Sequence, residues 1–600
     1  MRSVFLPVCR ADMDARGWDV LDFLFISGDA YVDHPSFAAA LIGRLLESNG
    51  YSVGIVAQPK WRGNDDFLAM GRPRLGVLIG AGNLDSMLNK LTANRKTRAS
   101  DAYSPGGASH LRPDRATIVY CQRVREIWGG IPIIIGGVEA SLRRFAHYDY
   151  WSDKLRRSIL IDSQADLLVY GMGERQIVEI ARYLGEGYPI DAIREINGAC
   201  YISDEIEHLD VKSFVTLPSW EEVSAEGDAG KRAFAEMFKI SSGEQDPIRG
   251  KTLVQRYGAK FLIQRPPASP LTEEMMDEIY ALPYRRACHS MYDSLGGVPA
   301  LSEVKWSVTS HRGCFGSCAF CSIHAHQGRI IQARSHQSIL SEIESFTRDK
   351  DFKGYVHDIG GPTANFRHSS CKEQLTRGTC KHRECLFPEP CPRLDASHSD
   401  ILSLLRKARD VRGVKKVFVR SGLRYDYLMC DQKGRREFLT ELCRYSVSGQ
   451  LKVAPEHASN AVLRVMRKGN IETYRKFMAL YRDTNKELGL KQYLVPYFMT
   501  SHPGCGLKEA IELAQFAAEL DFCPEQAQDF IPTPGSLATC IYYTGIDPFT
   551  GESVTVVKNA RERRMQKALL QHRLRENHPL AREALLKGGR KDLIASIIKK

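Results

Sequence analysis

Nowhere in these 600 residues do about 18 uncharged apolar residues run together, so no segment reads as a membrane-spanning helix. The first residues, MRSVFLPVCRADMDARGWD, carry acidic side chains and lack the apolar run of a secretion signal. Repeats of solenoid length and low-complexity tracts are missing as well. These absences describe a cytoplasmic globular chain without membrane contact. At 43% hydrophobic and 26% charged residues it has ample material for buried cores, and its length suggests two to four domains. In a reducing compartment, closely spaced cysteines bind metal or do chemistry more often than they form disulfides.

The formal charge of +12 is unevenly placed. The fifty residues from Gly551 hold 13 Lys and Arg against 5 Asp and Glu. Within them KNARERRMQKALLQHRLREN spaces Leu569, Leu570 and Leu574 near the helical period, which predicts a basic amphipathic helix. Its charges are either a solvated face packed on the main body, or a contact for RNA or another polyanion driven by counterion release.

Along the chain, residues 1–204 repeat a strand-then-helix rhythm. DVLDFLFISG and SVGIVAQP flank the helix PSFAAALIGRLLESNG, whose Gly50 suits a C-terminal cap, and LGVLIGAG, IPIIIGGVEAS and ADLLVYGMGE follow. The pattern predicts an α/β fold with a doubly wound parallel sheet, whose crevice lies at the carboxyl ends of the strands. Gly80, Gly136, Gly137, Gly171 and Gly173 fall at such ends, either as tight turns or as ligand contacts. Residues 205–299 read as a less periodic, proline-punctuated bridge. A second series, KWSVTSHRG, FKGYVHDIGG, VKKVFVRSG, LKVAPEH and LKQYLVPYFM, alternates with helices over 300–535 and predicts a full or partial barrel of parallel strands. Residues 536–600 form the basic extension.

The loop after the first of those later strands is HRGCFGSCAFCSI, with Cys314, Cys318 and Cys321 in eight residues. A buried helical stripe is disfavoured, since Gly313 and Gly316 each cost a helix about 1 kcal/mol relative to alanine. A structural zinc wants four ligands, and the loop offers three thiolates unless His311 or His324 joins. A [4Fe-4S] cubane on three cysteines leaves one iron open for chemistry.

A CxxxCxxC loop after a first barrel strand, with Phe320 before the last cysteine, resembles the radical S-adenosylmethionine superfamily, and the chain resembles its YgiQ-type family over nearly its whole length. The resemblance implies a [4Fe-4S] cluster on Cys314, Cys318 and Cys321, with Phe320 against the adenine of S-adenosylmethionine. It further implies that the cluster, charged by a one-electron reductase, splits the sulfonium to give a 5′-deoxyadenosyl radical. Gly360 and Gly361 match a glycine pair that meets the methionine amino group through carbonyls, with Pro362 in place of the usual acid. Ser421 and Arg424 in RSGLR resemble contacts to the carboxylate and ribose. VAPEHASNAVLRVMRKG resembles a methylthiotransferase-like segment that turns Glu456 and His457 toward the site, and SHPGCG a Gly-Pro element beside the adenine. DFIPTPGSLAT resembles the last barrel strand. The N-terminal sheet resembles a cobalamin-binding domain without its DxHxxG pattern: VDHPSF has Asp33 and His34 but no matching glycine, which makes cobalamin the doubtful cofactor.

An insertion, CKEQLTRGTCKHRECLFPEPC, adds Cys371, Cys380, Cys385 and Cys391 around His382. Four thiolates can close a zinc site or hold a second iron-sulfur cluster, and both readings stay open. Cys9, Cys200 and Cys443 read as ordinary buried thiols. Three functions follow: a radical enzyme acting on an unassigned substrate, the same enzyme acting on RNA, or a metal-stabilised RNA- or ribosome-binding protein without catalysis.

Overall fold

Five apolar runs organise the first half of the chain. They become the parallel strands β1 (Phe23–Ser27), β2 (Val53–Ala57), β3 (Gly76–Gly80), β4 (Ile133–Gly136) and β5 (Leu167–Val169), adjacent in the order β2-β1-β3-β4-β5. Phe23 stands opposite Val53 on one side and Gly76 on the other. All five residues of β1 are buried, which is why its sequence lacks polar alternation. The helices Ala38–Ser48 (α1) and Ala116–Trp128 (α2) connect strands of this set, and Glu174–Gly185 (α3) follows the last of them. Gly50, at φ +88°, closes α1 as its N–H returns to the Glu47 carbonyl.

In this computed structural model, residues 4–598 are described apart from 208, 525 and 526. The chain splits into two compact units, Met1–Ser307 with Ala325–Gly328 and Gln332–Glu342, and Val308–His324 with Arg329–Ile331 and Ile343–Lys600.

The sheet of the first unit does not stop at residue 204, and the 205–299 segment is more than a bridge. Four further strands, β6 (Ala199–Ser203), β7 (Phe214–Thr216), β8 (Thr252–Tyr257) and β9 (Lys260–Gln264), extend it to the order β7-β8-β9-β6-β5-β4-β3-β1-β2. The expected parallel sheet is therefore mixed: β6 runs antiparallel to β5, and β9 antiparallel to both β6 and β8. The cause is local, because Gly258 at φ +61° allows the tight YGAK turn that folds β8 back on β9. Leu253, Leu262 and Ile263 are fully buried as a result.

The second unit carries strands β10 (Ser307–Thr309), β11 (Tyr355–Val356), β12 (Asp358–Gly360), β13 (Lys416–Val417), β14 (Gln450–Glu456), β15 (Tyr493–Thr500) and β16 (Gln528–Asp529). β12 lies beside β10, β11 pairs with β13, and β14, β15 and β16 follow in a row. A parallel bridge from Leu423 to Val453 links the β13 segment to β14. Helices Ser399–Asp410, Arg435–Glu441, Asn460–Val465, Ile471–Glu487 and Leu507–Glu519 fall where the periodicity placed them.

The basic extension folds as Ala560–Leu570 and His578–Lys587, burying Met565, Leu569, Leu570 and Leu585. Several of its cations meet acids of the same unit: Arg561 and Lys587 share Glu583, Lys567 lies 3.6 Å from Asp529, and Arg573 pairs with Asp521.

Leu262→Ala tests the extended sheet. Removing this fully buried side chain should lower stability by about 2–5 kcal/mol in urea unfolding, whereas a loosely attached bridge would register less than about 0.5 kcal/mol.

Candidate functional site

Strand β10 ends at Thr309, and the chain then turns through Gly313, which has φ +88° and packs so tightly on the Ile330 carbonyl that a Cβ would clash. The loop runs in turns until helix Ile323–Gln327 begins, so the three cysteines are not a helical stripe. It is pinned from both sides. The Ala319 N–H donates to the Met466 carbonyl at 2.9 Å, and the Ala319 carbonyl accepts from the Ala538 N–H at 2.8 Å. Cys314, Cys318 and Cys321 are free thiols near enough to feel one another's charge. Burial pushes the Cys321 thiol up to about 12, with the Cys318 and Cys314 sulfurs adding to it, and burial followed by Cys318 raises Cys314.

Arg424 reaches into this loop. Its Nη1 lies 3.1 Å from Cys318 Sγ, and its Nε donates to Asp426 Oδ1 at 2.6 Å. Gly316 makes the approach feasible, since a Cβ there would stand 2.5 Å from Nη1. Burial opposes the guanidinium charge, but Asp426 and the Cys318 sulfur hold its pKa well above the ordinary value. Arg424 Nη2, Asp426 Oδ2 and Ser317 Oγ are buried without a hydrogen-bond partner in the protein, leaving polar atoms for something else to satisfy.

The strand ends beyond β10 converge on the same mouth. Gly360 sits against Ser421 Oγ and Gly361 against the His311 ring, 2.6 Å from where a Cβ would stand, so neither position admits a side chain. The Gly360 carbonyl already accepts from Ser310 N–H at 2.7 Å and Ser310 Oγ at 3.1 Å. Of the expected carbonyl pair, Gly361 is the one not so engaged by Ser310. His311 is no metal ligand here: its Nδ1 meets Ser310 Oγ at 2.8 Å and its Nε2 the Thr363 carbonyl at 3.0 Å.

Ser421 is bonded to Asp358, a half-buried acid that the sequence reading passed over and that also receives the Arg420 N–H at 2.7 Å. Its place in HDIGG, just ahead of the glycine pair, was the available signal. Phe320 stands edge-on to His502 of SHPGCG with ring centroids 6.0 Å apart, so these two expected adenine neighbours do adjoin.

Glu456 and His457 part company. Glu456, at φ +70° on a bulged β14, is half-buried and close enough to Cys321 to raise that thiol, and desolvation lifts its own carboxyl against the pull of Lys468 and Arg424. His457 instead turns into the core, with Nδ1 accepting from the Ser459 N–H at 3.0 Å and Nε2 3.4 Å from Cys505 Sγ. The bulge is the reason, because it breaks the alternation that would have placed the two on predictable faces.

Phe315, between the first two cysteine turns, is fully buried and stacks on Phe366 at 3.8 Å. Together with Ile331, Leu386 and Tyr427 it forms an apolar cluster against which both Cys314 and Cys385 pack. The cysteine insertion thus adjoins the first cysteine loop. Cys200 and Cys443 are buried as expected, but Cys9 is exposed, preceding a one-turn helix that buries only Met13. Among the described residues, no group of three or more His, Cys, Asp or Glu side chains is arranged to hold a metal ion. Donors sharing one zinc stand about 3.8 Å apart, given Zn–S bonds of about 2.3 Å; thiolates that each take a separate iron of a cluster stand wider.

In the first unit, both ring nitrogens of His34 face protein: Arg286 Nη1 lies 2.9 Å from Nε2, and the Ser36 N–H 3.1 Å from Nδ1. The ends of β1 and β3 meet a buried ion-pair group in which Arg112 joins Asp29 and Asp101 at 2.6 and 2.9 Å.

A family model described as Radical SAM N-terminal matches residues 5–307, and one described as a domain of unknown function (DUF3362) matches 525–598. A UPF0313 protein of Clostridium botulinum (strain ATCC 19397 / Type A) is 55% identical over 592 residues, which are 99% of this chain and 90% of the relative. A UPF0313 protein of Clostridium perfringens (strain 13 / Type A), CPE1196, is 51% identical over 99% of this chain and 88% of its own length. Among solved structures, the radical S-adenosylmethionine methyltransferase TsrM from Kitasatospora setae, with tryptophan substrate and a SAM analogue bound, is similar at 13% identity and TM-score 0.44, over 86% of this chain and 74% of that one. The cobalamin-dependent radical enzyme OxsB, with aqua-cobalamin bound, is similar at 12% identity and TM-score 0.45, over 97% and 63%.

Arg424→Met should leave the buried Asp426 carboxylate without its cation and cost about 3–5 kcal/mol, read as a lower urea midpoint of anaerobically prepared protein. An unchanged midpoint would show that the pair is not the local anchor described above.

Proposed function

The chain belongs to the UPF0313 family and carries the N-terminal region of radical S-adenosylmethionine proteins, and from that membership we propose that residues 300–535 form a partial (β/α) barrel housing a radical S-adenosylmethionine active site. The observation that carries this reading is the gathering of three half-buried thiols, Cys314, Cys318 and Cys321, in the loop after the first strand of the second unit, with Arg424 Nη1 on the Cys318 sulfur. Three thiolates with a fixed cation beside them suit a [4Fe-4S] cluster with one iron left open. Cys314, Cys318 and Cys321 would hold the cluster, which would supply one-electron reduction of the sulfonium of S-adenosylmethionine there.

The chain's own residues then have distinct tasks. Arg424 sets its Nη1 3.1 Å from the Cys318 sulfur and, through its unpaired Nη2, offers a donor to a carboxylate or ribose oxygen. Gly361 has no side chain because the His311 ring stands where its Cβ would be, which leaves its backbone bare. Phe320 and His502 frame an aromatic edge suited to adenine. Asp358 holds Ser421 in place, and the pinned loop keeps the mouth rigid enough to exclude water from a radical.

RNA is a second reading of the substrate, and one surface favours it. On the solvent side of the parallel row, Tyr355 stacks on Phe418 at 6.3 Å, with Lys416 and Arg420 5.3 and 5.6 Å from the Phe418 ring. Tyr493 and Tyr497 are 67% and 37% exposed on β15, beside the exposed Lys452 of β14. Aromatic faces interleaved with cations are what single-stranded nucleic acid stacks upon.

With an electron source and S-adenosylmethionine under anaerobic conditions, reconstituted protein should release 5′-deoxyadenosine and Cys318→Ala should release none, as followed by chromatography. Release by the variant would sink the catalytic reading. For RNA, Phe418→Ala with Tyr497→Ala should weaken single-strand binding at least tenfold in a salt-dependent titration; equal binding by wild type and variant would remove that substrate class.

A further inference from the structure

Strand β15 ends at Thr500, and the residues after it form a turn with little freedom. Ser501, at φ +62°, donates its N–H to Gln566 Oε1 at 2.8 Å, the Gly504 N–H reaches the Thr555 carbonyl at 2.8 Å, and the Cys505 N–H returns to the His502 carbonyl at 2.9 Å. A non-glycine residue in the left-handed region is strained backbone that its surroundings must hold in place. The turn sets His502, 1% exposed, between the rings of Phe320 and Phe530, whose centroids lie 6.0 and 5.1 Å from its own.

The hydrogen on this imidazole is located by its partners. Nδ1 lies 2.8 Å from the Pro503 carbonyl, an oxygen that can only accept, so Nδ1 is the nitrogen that carries it. Burial pushes the ring down to about 4, against the pull of that carbonyl, and keeps it neutral. Nε2 is then a bare acceptor, buried and met by no hydrogen-bond donor among the described residues. His457 is not that donor: its Nδ1 accepts from the Ser459 N–H at 3.0 Å, which leaves its own hydrogen on Nε2, 3.4 Å from Cys505 Sγ. Buried acceptors in native proteins are met by protein, water or ligand, so a donor is owed to His502.

We infer that His502 Nε2 accepts a hydrogen bond from the exocyclic amino group of adenine, which makes His502 the residue that selects a 6-aminopurine at the Phe320 edge. This rests on the radical S-adenosylmethionine reading above. Phe320 offers ring surface, which any purine satisfies. Nε2 asks for a donor, and adenine has one where a 6-oxopurine presents an oxygen to the same lone pair. His502 therefore sets specificity for the base and takes no part in the bond changes.

Full-length protein reconstituted anaerobically is dialysed to equilibrium against S-adenosylmethionine, its analogue lacking the 6-amino group, and its 6-oxo analogue, S-inosylmethionine. Wild type should hold S-adenosylmethionine about tenfold or more tighter than either analogue. His502→Phe should bring both ratios to within about twofold, because a merely structural loss weakens all three ligands together and leaves the ratios where they were. His502→Gln, whose amide can turn to accept or to donate, should restore the preference over the analogue lacking the amino group and newly admit the 6-oxo form. Should His502→Phe fail to fold, as read by its urea midpoint, His502→Gln decides: admission of the 6-oxo analogue supports the inference, and rejection at the wild-type ratio overturns it. Wild type that binds S-adenosylmethionine without regard to the amino group, or ratios unchanged in His502→Phe, would overturn this inference and leave the catalytic reading standing. Wild type that binds no S-adenosylmethionine would overturn both.

Discussion

A thiol buried in protein resists ionisation, and three of them side by side resist it more, because each negative sulfur raises the cost of the next. The cysteine loop therefore depends on one fixed positive charge. Arg424 supplies it, with Nη1 on the Cys318 sulfur and Nε on Asp426. A guanidinium suits the task better than a lysine, since it stays charged despite burial and can serve two partners from one plane. Asp426 has its own requirement, as a buried carboxylate that would otherwise be costly. Cation, carboxylate and sulfur form a chain of mutual compensation, and the glycine at 316 exists to let the chain close.

Around that centre the strand ends are shaped by close approach. Gly313, Gly360 and Gly361 each meet another backbone or side chain where a Cβ would have to stand, which brings the cysteine loop, the β12 turn and Ser421 within reach of one another. The cost of such packing is an absence of slack. Hydrogen bonds from Ala319 to Met466, and from Ala538 to Ala319, fasten the loop to chain more than 140 residues away in sequence. Positions of this kind suit a site that must hold its ligands in fixed geometry.

Much of this was legible from residues alone. The buried strands β1 to β5 announce themselves as short apolar runs ending in glycine, and the later strands and helices lie where the periodicity put them. What escaped the sequence reading was nonlocal or conformational. The β8–β9 hairpin was hidden in a proline-punctuated stretch because polar Gln255 and Arg256 interrupt its apolar pattern, although the YGAK turn was on view. His457 could not be placed because the bulge at Glu456 shifts the register by one residue. The burial of Arg424 beside Cys318, 106 residues earlier, is a property of the folded strands that no local motif encodes.

Composition alone misplaces the chain's positive charge. Counting from Gly551, the extension is the most basic segment considered, yet Glu583, Asp529 and Asp521 draw several of its cations into local pairs, and its apolar stripe faces the core. Such surface pairs add little stability. Their consequence is electrostatic: a cation whose field is cancelled nearby attracts a distant polyanion weakly, since only the uncancelled charge extends over a Debye length of about 8 Å. Lys416 and Lys452 lie instead on strand segments that contain no acid between 416 and 420, 450 and 454, or 493 and 500, whereas Arg420 stands close enough to Asp358 to lower its carboxyl. The count of basic residues in a segment therefore overstates its pull on a polyanion, because long-range attraction follows the net local field that remains after such pairing.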